Sequence, residues 1–445
     1  MNLLRYILIL FIISMSPLTA KSQTIDFKDY GSKGINLSNE DYIDLVRLAV
    51  LDQPDFKALT ARKAFFNFEY RGQRSERFPS ITSSLRNDHI LDRNVDDLSS
   101  IRKRQDDSTD LIVELNQPLY SGGVISKKIE NAKKQMDIGG LQLKQQASDL
   151  VIRANEIFLN LVKFTILKNT IENALLEIND ILKTVEIRSQ SGFANLTEKA
   201  LVQIRLNDLL IEKAKVDAGL AQSKETFKRF FNQDFELFYL PEILLYNLAF
   251  SDLHARDISD NKKSYEYQMS EIAYSQEQNN LVIAKGDYLP KLGFNLRYIQ
   301  YDFDEDFTEN DIRGGVTFKM PLFDFGRTKN KVSASRSKVN EYKWNMMTEK
   351  RNFQIIKSEV ENRLISVSQS IAEIKSTIDS TRNQKKILID RNQLSEFNGI
   401  NLSQIIIQET TNVSTLLDTE IKLYLDDLLL SQMKTELLSR FKLEL

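Results

Sequence analysis

The sequence predicts a mainly α chain whose two β-hairpins cross a membrane, a tube with a strand-built end and a helical shaft. Three observations carry that fold class. The chain states one layout twice, about two hundred residues apart: helix, Pro-marked junction, two strand-like runs around a polar gap, and long helical sequence. Each strand-like run has roughly the 9–11 alternating residues that a tilted strand needs to cross a bilayer. Only 15 Gly and 7 Pro interrupt 445 residues, which leaves room for very long helices.

Bulk composition narrows the function classes. A net charge of −2 provides no basic field for nucleic acid. The absence of Cys removes disulfides, thiolate catalysis and Cys-ligated metals together.

The elements follow in order. Arg5, the apolar run Ile7–Ile13 and the small-residue exit Ser14–Ser22 read as a secretory signal peptide, residues 1–22, cut near Gln23. That run is too short to span a membrane as a helix, and no Cys follows it to carry a lipid anchor. Residues 23–36 are a loose lead-in. Helical spacing of Tyr42, Leu45, Val46 and Ala49 predicts a first helix from Leu37, which Pro54 interrupts before a second helix from Asp55 to about Arg77. Its twin in the second half runs from about Ser259 to Tyr288.

Nothing later resembles an apolar spanning helix, so any membrane crossing falls to strands. The first hairpin occupies about 80–120, with a charged loop over 92–108; the second occupies about 291–322, with an acidic loop from Asp302 to Asp311. Aromatics gather near the run ends (Phe78, Tyr120, Tyr288, Tyr301, Phe303, Phe323), as interfacial girdles require. Pro79 and Pro290 sit where helix becomes strand; Pro118 and Pro321 sit where a strand stops for want of a ladder N–H. Four strands cannot close a barrel, and open edges are not tolerated in lipid, so the chain is expected to oligomerise.

The shaft carries a heptad seam. Ala154, Ile157, Leu161, Phe164, Ile171, Leu175, Ile178, Leu182 and Val185 keep a period of three and four, and Val360, Leu364, Val367, Ile371, Ile374 and Ile378 repeat it. Residues 127–189 and 331–395 each predict one helix about 100 Å long at ~1.5 Å per residue. Gly139-Gly140 allows a local bend in the first.

Catalysis finds little support. His89 and His254 fall in a strand and a linker, with no metal-ligand spacing, nucleophile elbow or phosphate loop. The pairs Asp106-Asp107 and Asp426-Asp427 read as solvated faces, and Asp302–Asp306 as a solubilising loop, with a surface cation site as the alternative.

The chain resembles the TolC-like outer-membrane efflux protein family from Leu37 to its C-terminus. The carrying residues are Pro118-Leu119-Tyr120-Ser121-Gly122-Gly123 and Pro321-Leu322-Phe323-Asp324-Phe325-Gly326, the bridging Tyr239-Leu240-Pro241-Glu242, the first-half turn Gly192–Glu198, and Val413–Glu420 with Leu423-Tyr424 for the second-half turn. The resemblance implies a homotrimer whose 12-stranded β-barrel, four strands per chain, continues into a long α-helical barrel in the periplasm. It implies two repeats, 37–240 and 259–445, joined by residues 241–258. It implies an outer-membrane channel of a tripartite efflux or type I secretion system, a passive conduit gated at its helical end and docked to a periplasmic adaptor and an inner-membrane pump. No cofactor, metal or nucleic acid enters that reading. The alternative is a structural or adhesive coiled-coil envelope protein.

By the same resemblance, Asp418 aligns with a pore-gate acid and Thr415 with a second ring position. Thr197 and Glu198 align with gate-helix partners beside the turn residue Gly192. The family's Arg and Tyr latch positions fall on Thr411 and Ile406, and its second turn Gly on Glu409. Three Asp418 carboxylates at one level of a pore would attract cations.

Overall fold

The structure is a computed structural model that describes residues 35–36, 39–89, 91, 107–192, 196–233, 238–239, 263–301, 303, 309–393 and 397–445. The signal peptide, most of the lead-in, Leu240-Pro241-Glu242, His254, and most of both hairpin loops lie outside the described residues.

In chain order the elements are β1 (Ile35–Asn36), α1 (Asn39–Asp52), α2 (Pro54–Ser75), β2 (Ser80–His89), β3 (Asp107–Tyr120), α3 (Val124–Gln190), α4 (Leu196–Phe231), β4 (Phe238–Tyr239), α5 (Tyr265–Gly286), β5 (Lys291–Gln300), β6 (Asn310–Lys319), α6 (Arg327–Gln393), α7 (Gly399–Met433) and α8 (Leu437–Arg440). Compact structure does not follow the two repeats. One unit takes Met1–Gln53, Ala147–Lys262 and Lys357–Glu444; the other takes Pro54–Gln146 and Lys263–Ile356 with Leu445.

The second of these units holds both hairpins. Pro54 opens α2 at a first-turn position that needs no N–H, and Ser264 caps α5 by accepting from the Tyr267 amide at 3.2 Å. Pro79 and Pro290 each precede a strand. The strands pair antiparallel in the order β2-β3-β5-β6, so the two hairpins join through β3 and β5. Pro118 departs from expectation: β3 continues two residues past it, to Tyr120, through a register shift that spares the missing N–H. Pro321 does lie beyond the end of β6. The helix α3 is continuous through Gly139-Gly140. A Cβ at Gly139 would sit 2.7 Å from Phe66 Cδ2, so this glycine serves the approach of α2 to α3.

Polar side chains join α3 to α5. Asn131 bonds both Asn279 and Asn280 at 2.9 and 2.8 Å, and Lys134 donates to Ser275 at 2.6 Å. Hydrogen bonds from Lys127 and Lys134 lower the Glu130 carboxyl to about 2.

The other unit is built on the seam. Ala154, Leu161, Ile171, Ile178 and Val185 are buried on α3, as are Val360, Leu364 and Ile371 on α6. Around them Tyr42, Phe158, Phe227 and Phe231 form an aromatic cluster with ring centroids 4.4–6.5 Å apart. At its centre Asn155 Oδ1 accepts from Tyr42 at 2.5 Å and Tyr424 at 3.0 Å, while its Nδ2 donates to the Val151 carbonyl at 2.7 Å. Asp426 and Asp427 are not solvated: both are buried, since Arg363 clamps Asp426 with two 2.6 Å hydrogen bonds and Arg440 pairs with Asp427 at 2.9 Å.

Candidate functional site: a two-faced sheet and the helix tips

Strand register sorts the sheet into two chemically different faces. Directly opposed residues share a face, so Ile81, Leu115, Leu296 and Gly314 form one row, and Ser83, Val113, Tyr298 and Ile312 the next. Leu85, Leu111, Phe294, Val316, Leu292 and Phe318 belong to the same face. Many of these apolar side chains meet no covering layer: Ile81, Leu85, Ile312, Val316 and Phe318 are all more than 60% exposed. The opposite face carries Arg86, Asp110, Glu114, Asn116, Asn295, Arg297, Asp311, Arg313 and Thr317. Arg297 and Arg313 stand directly opposite each other there, a costly juxtaposition. Each is answered by an acid, Glu114 for Arg297 and Asp311 for Arg313. His89 ends β2 opposite Asp107, and no cluster of three or more metal-ligating side chains occurs among the described residues.

The helix tips bring the two repeats together. Gly192, at φ +75°, turns the chain just past α3. Thr197 and Glu198 stand in the first turn of α4. The break between the second pair of long helices falls between Gln393 and Gly399, not near Glu409. Residues 399–433 are one unbroken helix in which Val413, Leu416, Leu417, Ile421, Leu423 and Leu428 are buried. No breaker interrupts that run, whereas Asn398 caps α7 through the Asn401 amide at 3.0 Å. The alignment that put Asp418 within the second-half turn is therefore corrected: it lies 19 residues beyond Gly399, about 28 Å at ~1.5 Å per residue. Glu409, aligned with a turn glycine, sits mid-helix and pairs with Arg382 at 2.9 Å and Lys385 at 3.1 Å. Lys385 also reaches Glu177 at 2.7 Å; burial pulls its ammonium down, but the two carboxylates hold it above its ordinary value.

At the tip, Glu198 Oε1 accepts from the Gly399 amide at 2.9 Å. Nearby the Arg188 guanidinium lies 5.3 Å from the Phe397 ring centroid. Gly399 is required by space: a Cβ there would meet Val185 at 2.8 Å. Sequence reasoning found Glu198 but missed Gly399, whose Asn-Gly context was the available signal.

Further along α7, an exposed polar stripe recurs at steps of three and four: Asn401, Gln404, Gln408, Thr411, Thr415, Asp418, Lys422. Thr415 donates its hydroxyl to the Thr411 carbonyl at 3.0 Å. Asp418 is held by Lys163 of α3 at 2.5 Å. The acid brought forward as a bare pore charge thus has a cation of its own chain beside it.

No protein family matches the sequence in a family scan, and no curated protein matches it. Solved structures do. The chain is similar to CusC, whose structural report concerns folding and transmembrane channel formation, with 12% identity, TM-score 0.72, and 95% of this chain and 97% of that one covered. It is similar to the outer membrane protein VceC of Vibrio cholerae at 12% identity and TM-score 0.73, over 88% and 96% of the two chains. It is similar to the Campylobacter jejuni CmeC outer membrane channel at 13% identity and TM-score 0.73, over 91% and 89%. The chain has the fold of the TolC-like outer-membrane channels.

Proposed function

We propose that the chain is the outer-membrane channel of a tripartite efflux or type I secretion system, a passive conduit from periplasm to exterior. The observation that carries this reading is the sheet: one apolar face uncovered, one polar face, and β2 and β6 left as edges. A soluble protein gains nothing from such a face. Three copies joined edge to edge would close a 12-stranded barrel with its apolar face in lipid and its polar face toward water. Similarity of fold to solved outer-membrane channels supports the same assignment. A structural or adhesive envelope protein would not need the apolar parity on all four strands.

The helical parts of the three copies would form the periplasmic conduit, docked to an adaptor and an inner-membrane pump. We place its gate at the helix tips, where Glu198, flanked by Thr197, fastens the start of α4 to the start of α7 in place of the family's Arg and Tyr. The α7 stripe containing Thr415 and Asp418 would line the bore. Its only charges are Asp418 and Lys422, and Lys163 offsets the former.

Detergent-extracted protein tests the reading. It is expected in the outer-membrane fraction as a trimeric cylinder by mass and negative-stain imaging, with mature chains beginning near Gln23. Recovery as a soluble periplasmic monomer would overturn it.

A further inference from the structure

Between α3, α4 and α7 lies a cavity of about 250 Å³. Leu167 and Ile171 of α3, with Leu209 and Val216 of α4, give it an apolar floor of buried side chains. Its rim is rich in hydrogen-bond acceptors. Asp208 and Glu212 bring two carboxylates, both from exposed residues of α4. On α7 the Thr410 hydroxyl donates to the Ile406 carbonyl at 3.0 Å and the Thr411 hydroxyl to the Ile407 carbonyl at 2.9 Å. With their protons committed, these two groups offer a ligand only oxygen lone pairs. Among the described residues no Lys, Arg or His lines the cavity. The acids do have cations one turn away on α4: Arg205 lies 3.6 Å from Asp208, and Lys215 lies 3.0 Å from Glu212. Both pairs are solvent-exposed, and such pairs contribute little, so an incoming ammonium group takes over either carboxylate at small cost.

We propose that this cavity binds an organic ammonium ion, a small amphiphile with an aromatic ring. The ring would lie on the apolar floor while its N–H groups donate to Asp208, Glu212 and the threonine oxygens. A bare metal ion would leave the apolar floor without a partner, and an anion would face two carboxylates. The volume falls just under the ~300–1,000 Å³ of drug-sized sites, which suits one bicyclic ring with a short amine arm. The cavity lies within one compact unit of a single chain, so the site does not depend on the channel reading.

Protection of a reporter thiol tests the site. The chain has no Cys, so Ser414→Cys places a single thiol on the cavity wall. Thr411→Cys, on the rim, serves if the first variant does not assemble. Full-length protein in detergent is alkylated with iodoacetamide and followed by mass spectrometry, with 2-naphthylmethylammonium as the probe. The probe is expected to slow labelling saturably. Its neutral isostere, 2-naphthylmethanol, should need about tenfold more for half protection, and 2-naphthoate should not protect. Adding Asp208→Asn and Glu212→Gln should weaken the ammonium to the level of the alcohol, a loss that a merely structural role for the two acids would not produce. Gln404→Cys, outside the cavity, should label equally with and without the probe. No protection by the ammonium, equal protection by the carboxylate, or protection that survives neutralisation of both acids would each overturn the site. Equal protection at Gln404→Cys would do so too, by showing that the probe acts through the micelle. The channel reading is untouched by any of these results, since fractionation and oligomer mass test it separately.

Discussion

Glu198, in the first turn after one helical tip, hydrogen-bonds the backbone amide of Gly399, the first residue after the other, at 2.9 Å. A carboxylate from the first repeat thereby satisfies an orphan N–H of α7 and sits at the positive end of its dipole. The bond needs no partner side chain, because its donor is a backbone N–H.

Removing that carboxylate tests the latch. Glu198→Ala is expected to cost about 1 kcal/mol at this half-exposed position and to raise the open fraction in single-channel recordings. Gly399→Ala drives a Cβ to within 2.8 Å of Val185 and is expected to do the same more strongly. Glu198→Gln keeps the acceptor and should fall between wild type and Glu198→Ala. Closed-state conductance identical in all three variants would remove the latch from the gate.

Lys163 and Asp418, 2.5 Å apart, make opposite predictions when separated. Lys163→Met leaves an uncompensated carboxylate and is expected to raise cation selectivity, read from reversal potentials in a salt gradient. Asp418→Asn leaves an ammonium and should shift selectivity toward anions. The double variant should return close to wild type. Thr415→Asp, one turn away on the same stripe, adds an unpaired acid and should increase cation selectivity and multivalent-cation block. A Lys163→Met variant that matches wild type, with a double variant that keeps the full Asp418→Asn shift, would show that the two groups do not face the bore together.

Much of this was legible in the sequence because it rests on local rules. Pro79 and Pro290 mark strand starts, the alternation of Leu292, Phe294 and Leu296 gives a face, and the step of three and four through Ala154 and Leu161 gives the seam. Other features depend on who meets whom across the chain. Asp426-Asp427 looks solvated until Arg363 and Arg440 arrive from elsewhere in the sequence. The second turn was misplaced because Val413–Glu420 carries family-like residues, although its unbroken heptad spacing argued for continuing helix and Asn398-Gly399 offered the real stop. Gly139 reads as a weak point in isolation and becomes a packing site only once Phe66 is beside it.

The buried tyrosines give a pH signature. Burial, reinforced by Tyr424, pushes the Tyr42 phenol well above its ordinary 10.0, and burial raises Tyr424 as well. Both phenols therefore stay protonated in the folded chain while unfolded tyrosine ionises. Their stability contribution is complete below pH 10 and is lost as pH climbs from 10 toward the folded values, by about 1 kcal/mol per phenol one pH unit above 10. Tyr42→Phe should cost about 1 kcal/mol at neutral pH through the lost bond to Asn155, yet flatten the alkaline fall. Thermal unfolding of both proteins from pH 8 to 11 reads the difference; parallel curves would show that Tyr42 does not carry it.

Strand parity is the sharpest test of the membrane claim, because adjacent residues must behave oppositely. Phe294 and Leu296 lie on the apolar face, Phe294 opposite Val316 and Leu296 opposite Leu115 and Gly314. Asn295 lies on the polar face between Asn116 and Gly315. Arginine at a lipid-facing position near the bilayer midplane costs about 2–4 kcal/mol, whereas a water-facing position tolerates it. Phe294→Arg and Leu296→Arg are each expected to block assembly, seen as loss of the folded, heat-modifiable oligomer on gels. Asn295→Arg should assemble normally, since Gly315 opposite it leaves room and Glu114 on the same face offers a countercharge. Equal tolerance at all three positions would mean that this hairpin never meets lipid, and the chain would then need another explanation for its uncovered apolar face.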